Sequence, residues 1–175
     1  MNSRNGCGAE DRLIAEGCLV KNKTIRGTVG AIIPYHKSVC AITAAHVIRS
    51  GNGSVGTKVM VGGYESTVIH IFNDYDLALI AIPPQHAALS AIGRASFGPA
   101  ELITCDRRIA CRVVDTGRTL NRFAFPCASM PVPGDSGAPI VQKNQVIGLL
   151  SSILYNNCTG LGISSDVFGD PSRLR

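Results

Sequence analysis

Three polar side chains in this sequence stand in settings suited to acyl transfer. His46 ends the run Ala41-Ile-Thr-Ala-Ala-His, Asp76 opens the apolar run Leu-Ala-Leu-Ile, and Ser136 lies in Gly134-Asp-Ser-Gly-Ala-Pro. A serine hydroxyl is a weak nucleophile until a base removes its proton, and imidazole suits that task near neutral pH. The imidazole in turn needs an acceptor on its other nitrogen, to fix the tautomer and steady the imidazolium; a carboxylate at the lip of an apolar strand can supply one. The order is His, Asp, Ser, separated by 30 and 60 residues. Each stretch alone has a plainer reading. Gly, Asp and Ser cluster in ordinary turns, His46 can be a satisfied packing residue, and Asp76 can cap a turn, with Asp74 a rival for any role it plays. Taken together, the three favour chemistry. His36, His70 and His86 lack comparable surroundings and read as surface or packing residues.

The elements that must position these residues are strands. Short runs rich in Val and Ile, bounded by Gly, Asn, Pro or Ser, predict strands over 13–20, 27–33, 38–43, 58–61, 66–72, 77–82, 109–115, 138–142, 145–150 and 161–164. Helical periodicity is confined to a turn after Ala44 and a short stretch over 85–92. Many short strands at this spacing imply an all-β barrel or sandwich. The stretch 83–99, with its prolines and small residues, separates two strand-rich parts, 12–88 and 100–168. Both ends of the chain read as arms outside the core.

The chain has 175 residues, 45% of them hydrophobic, enough for a core. Its net charge of +5 is scattered and does not by itself indicate nucleic-acid binding. No apolar run is long enough to span a bilayer, and the first residues lack the apolar region of a signal peptide. Seven cysteines, an odd number without a C-x-x-C pair, argue for reduced thiols in a cytosol-like compartment. Cys105, Cys111 and Cys158 are the remaining zinc alternative, without the close ligand pairs usual for such sites.

The three polar stretches resemble those of the chymotrypsin-like serine endopeptidases, whose motifs look like Thr-Ala-Ala-His, Asp-Leu-Ala-Leu and Gly-Asp-Ser-Gly. The likeness spans about 12–165. It implies an all-β fold of two antiparallel β-barrels with the active site in the cleft between them: an N-terminal barrel over 12–88, a linker over 89–99 and a C-terminal barrel over 100–168. It also implies that His46 is general base and acid, Asp76 its orienting partner and Ser136 the nucleophile. The backbone N–H groups of Gly134 and Ser136 would form the oxyanion hole. Met130, Pro131, Leu149, Leu150 and Ser151 would bind the substrate, and no cofactor or metal is implied.

Other details narrow the resemblance. Val47 stands where secreted trypsin-like enzymes have a cysteine, and no Ile-Val-Gly-Gly-like N-terminus is present, so Asp135 must find another partner or face solvent. Compact size, the lack of a disulfide pattern and the short hairpin between Ile140 and Ile147 look like the main proteases of positive-strand RNA viruses. That implies a polypeptide substrate, including the enzyme's own precursor, and action in the host cytoplasm. HtrA-like bacterial or organellar proteases are the alternative. In many of the viral enzymes a Thr and a His receive a polar P1 side chain; here Pro131 and Leu150 occupy those positions. Neither donates a hydrogen bond, and an unpartnered buried polar group costs about 1–3 kcal/mol, so an apolar or small P1 is expected. A competing reading from another class is an RNA-binding double barrel using Arg107, Arg108, Arg112 and Arg118, alone or beside proteolysis.

Overall fold

The computed structural model describes residues 12–170, 172 and 174. Seven antiparallel strands form the first half: β1 (Leu19–Asn22), β2 (Ile25–Thr28), β3 (Ala31–Tyr35), β4 (Ser38–Ala44), β5 (Lys58–Val61), β6 (Tyr64–Phe72) and β7 (Leu77–Ala81). They make one curled sheet in the order β2-β1-β5-β6-β7-β4-β3. A short helix, α1 (Ala45–Ser50), follows β4 directly. The second half holds β8 (Gly98–Ile103), β9 (Arg108–Asp115), β10 (Leu120–Ala124), β11 (Pro139–Gln142), β12 (Gln145–Leu154) and β13 (Thr159–Ser164). These close into a barrel in the order β10-β13-β12-β11-β8-β9, and α2 (Ser165–Phe168) follows β13. The all-β, two-barrel architecture expected from the sequence is the one found. Among the described residues no helix is long and apolar enough to cross a membrane.

Three apolar clusters explain the pattern of the runs. One fills the first half, with Ala78 and Ile80 of β7 among its members. Another fills the closed barrel, with Ile147 and Leu150 of β12. The third joins the halves: Ile42, Leu77 and Leu79 from one side meet Val146, Leu149, Ile163 and Phe168 from the other. Strands β7 and β12 are therefore buried on both faces, which is why they read as continuous apolar runs and not as alternating ones.

Several expected boundaries change. The strand over 27–33 is two strands, β2 and β3, with Val29 and Gly30 between them. In the early part of 13–20, Ile14 forms an isolated bridge to Ala87, and the Gly17 N–H and Cys18 carbonyl hydrogen-bond the backbone of Val29 (2.7 Å each). Strands β8 and β10 were not expected from the sequence. The first opens with Gly-Pro, tolerated because β11 pairs only with Glu101 and Leu102, so the Pro99 nitrogen faces no acceptor there. The second turns the buried amide of Asn121 inward beside Phe123, which masks the alternation; the side chain donates to the Ile147 carbonyl (3.3 Å) and accepts from the Gly117 N–H (3.1 Å).

Candidate active site

His46 occupies the first turn of α1, which begins where β4 ends, and the two alanines before it are fully buried. Asp76 precedes β7, the neighbour of β4, so register alone brings the two together: Ala44 is paired with Leu77. Asp76 adopts a left-handed conformation (φ 52°), uncommon for a non-glycine residue. Its carbonyl accepts the Ala45 N–H (2.9 Å), and its carboxylate Oδ1 accepts the His46 N–H (2.9 Å). The other oxygen, Oδ2, accepts from His46 Nδ1 (2.8 Å) and from the Ser151 hydroxyl (2.7 Å). Burial pushes this carboxyl up, but the hydrogen bonds from His46 and Ser151 and the charge of His46 outweigh it and hold the group below the usual carboxylate range. Asp74, the rival position, is exposed.

His46 Nε2 lies 2.8 Å from Ser136 Oγ, completing a chain from Asp76 through His46 to Ser136. Ser136 stands on a turn whose shape Gly137 makes possible. Gly137 has a φ of +87°, and a Cβ there would lie 2.4 Å from the Thr28 carbonyl and from Thr43 Oγ1. The turn is pinned to β2, where the Thr28 N–H donates to the Ser136 carbonyl (2.9 Å) and the Thr28 hydroxyl to the Gly134 carbonyl (3.2 Å). Thr28 carried no signal of its own in the sequence.

Asp135 is buried and ion-paired with Arg107, and its Oδ2 also accepts the Val132 N–H (2.8 Å). The partner that the sequence left open is thus a side chain from the turn before β9. Arg107 and Arg108, two of the four arginines considered for RNA, are both engaged in ion pairs, the latter with Glu101 (3.2 Å).

The residues expected to bind substrate fare differently. Leu149 and Leu150 are fully buried, one in the cluster between the halves and the other in the barrel core, so their side chains do not line a cleft. The Ser151 side chain points to Asp76. Met130 is half-buried against the barrel core and Pro131 is buried, its carbonyl accepting from the Tyr155 hydroxyl (3.2 Å). A disulfide between Cys127 and Cys158, with Cα atoms 5.2 Å apart, joins the segment leading to Met130 and Pro131 to the turn after Tyr155. This corrects the expectation of reduced thiols throughout and removes Cys158 from any zinc set. Its 31-residue separation and the odd cysteine count hid the pair. Burial raises the Cys40 thiol to about 11, and burial with the charge of Glu101 raises Cys111 to about 12, so neither is a thiolate nucleophile near neutral pH. Cys7 lies outside the described residues.

A cavity of about 590 Å³ is lined by Glu16, Glu101, Arg108 and Lys143 among others, and shares none of the three polar residues. A second, of about 410 Å³, reaches His46 and Ser136 and is walled by Ile25, Arg26, Val47, Pro133 and Gly134.

A curled sheet and a closed barrel that meet at His46, Asp76 and Ser136 define the chymotrypsin-like fold. Solved structures of that fold match most of the chain. Nocardiopsis protease (NAPase) aligns with a TM-score of 0.66 and 18% identity, covering 86% of this chain and 90% of that one. A serine protease specific for glutamic acid aligns with a TM-score of 0.68 and 12% identity, covering 89% and 98%. A structure describing the coupled folding and binding of the Sesbania mosaic virus VPg protein aligns with a TM-score of 0.61 and 16% identity, covering 95% and 93%. No protein-family model matches the sequence, and no curated protein does.

Proposed function

We propose that the protein is a serine endopeptidase that cleaves polypeptides through an acyl-enzyme intermediate. The observation that carries this reading is the hydrogen-bonded chain from Asp76 to His46 Nδ1 (2.8 Å) and from His46 Nε2 to Ser136 Oγ (2.8 Å). Ser136 Oγ attacks the scissile carbonyl carbon while its proton passes to His46 Nε2. The imidazolium, held by Asp76, then protonates the leaving amine as the C–N bond breaks, leaving an ester on Ser136. Water attacks that ester, gives a proton to His46, and the proton returns to Ser136 Oγ as the acid product leaves. The N–H groups of Gly134 and Ser136 would bind the developing oxyanion, each such donor being worth about 3 kcal/mol in the transition state.

For the substrate, we read an apolar or small P1 residue. Met130, half-buried, and Pro131, buried, are the support: neither offers a side-chain hydrogen bond to a polar P1 group. A viral polyprotein is the reading that the likeness to a Sesbania mosaic virus structure favours. The test is cleavage of a peptide library by the wild type and by Ser136→Ala. Cuts after small or apolar residues that vanish in Ser136→Ala are expected. Cuts that persist in the variant would refute the mechanism, and a preference for Gln, Glu, Lys or Arg would refute the P1 reading.

A further inference from the structure

One end of the closed barrel carries apolar side chains that no core requires. Strand β8 begins there, β9 ends there and β10 begins there: Gly98 is paired with Val113, and Arg122 with Asp115. The inward residues Val113 and Phe123 fill the barrel core. The outward positions beside them could be polar at no cost to packing, yet Val114 is 42% exposed and Leu120 45%. Phe97, just before β8, is 67% exposed. Residues 114–120 are exposed without a break, so the β9–β10 turn stands out from the barrel. The opposite end holds Ala124 paired with Thr159, and the disulfide that ties Cys158 to the segment leading to Met130 and Pro131.

The charge at the apolar end is basic. Arg94, Arg112, Arg118 and Arg122 are exposed there, against the carboxylates of Asp115 and Asp166. Arg94 pairs with Asp166 (3.4 Å), whereas among the described residues Arg112, Arg118 and Arg122 make no ion pair. Arg94 and Arg118 also line a cavity of about 270 Å³, with Thr116 and Ser164 among its walls. The Ser164 N–H donates to the Thr119 carbonyl (2.8 Å), which holds the turn beside the start of α2. Two guanidinium groups on one hollow suit a phosphate, whose oxygens their planar forks can bind in pairs.

The apolar residues decide between partners. Single-stranded nucleic acid stacks its bases on aromatic faces, and Val114 and Leu120 offer none. An added peptide strand needs an open sheet edge, and this barrel is closed. An anionic bilayer uses everything present: apolar tips enter the headgroup and acyl boundary while arginines hold the lipid phosphates. We propose that this end of the barrel docks on an anionic membrane surface. Phe97, Val114 and Leu120 insert, Arg112 and Arg122 meet the surrounding headgroups, and one lipid phosphate sits between Arg94 and Arg118. The Met130–Pro131 segment, at the far end of the barrel, stays in solvent.

Co-sedimentation of the full chain with vesicles tests the docking. Phosphatidylcholine vesicles containing about 30% phosphatidylserine should bind it, and pure phosphatidylcholine should not. Each arginine near an anionic surface is worth about fivefold in binding, so Arg118→Gln with Arg122→Gln should weaken it about 25-fold. Phe97→Ser with Leu120→Ser, both exposed positions and so expected to melt like wild type, should weaken it about tenfold through lost insertion. Equal binding to the two vesicle types, or undiminished binding by the Phe97 and Leu120 variant, would overturn the proposal. Inorganic phosphate should not displace the protein from vesicles; full displacement would reduce the surface to a free-anion site and overturn the docking. Single-stranded RNA bound through Arg118 and Arg122, with no vesicle binding, would assign this end to nucleic acid instead. Soluble-peptide hydrolysis should keep its kcat/KM when vesicles are added, and inhibition would show that the cleft, not this end, meets the lipid. Absence of any hydrolysis would bear on the endopeptidase reading and leave the vesicle result to decide the docking.

Discussion

The ion pair beneath the nucleophile gives the most exacting prediction. In Arg107→Met the Asp135 carboxylate, whose side chain is 8% exposed, keeps only the Val132 N–H. Removing one partner of a buried pair costs about 3–5 kcal/mol; Arg107 is itself 38% exposed, so water offsets part of this and about 2–3 kcal/mol is expected. For a domain of this size that lowers the melting temperature by about 4–12 °C. Because Asp135 precedes Ser136 directly, kcat should fall as well. Calorimetry and peptide hydrolysis read the two effects. Adding Asp135→Asn to Arg107→Met removes the orphaned charge, whose burial is the costly step, and should restore most of the stability. Arg107→Met with wild-type melting and unchanged kcat/KM would show that Asp135 needs no counter-charge.

Asp76→Asn should lower kcat by about 10⁴-fold, the scale set by loss of the correct imidazole tautomer. Its pH signature is separable: the folded carboxyl lies below its unfolded value, so it stabilises the fold above about pH 4, and that stability is lost as pH falls through the lowered value. Urea unfolding between pH 2 and 6, flatter in Asp76→Asn than in wild type, checks the sign. Ser151→Ala removes a hydrogen bond to a carboxylate and should lower kcat about tenfold to a hundredfold with little change in KM, in steady-state peptide assays. Reducing Cys127–Cys158, which spans 31 residues, should remove about 3–4 kcal/mol by the chain-entropy account. A melting temperature unmoved by dithiothreitol would contradict the pairing.

The architecture was legible because turn residues punctuate short β-branched runs, and because β7 sits between two cores and so reads as an unbroken apolar strand. The three side chains now within hydrogen-bond distance were legible for a related reason: each adjoins such a run or a glycine turn. What failed was information that local pattern does not carry. Burial of β12 on both faces makes Leu149 and Leu150 look like cleft residues when they are core. Asn121 breaks the alternation of β10 because it serves a backbone carbonyl and not the apolar cluster. Arg107 meets Asp135 across 28 residues, and Cys127 meets Cys158 across 31, distances at which only the closed barrel brings partners together.

The central claim is that Ser136, activated by His46, is the nucleophile. Labelling with a fluorophosphonate probe, followed by mapping of the adduct by mass spectrometry, tests it most directly. The wild type should carry one adduct, on Ser136, and both Ser136→Ala and His46→Ala should lose it. An adduct on another residue, or equal labelling of Ser136 in folded His46→Ala, would contradict the account.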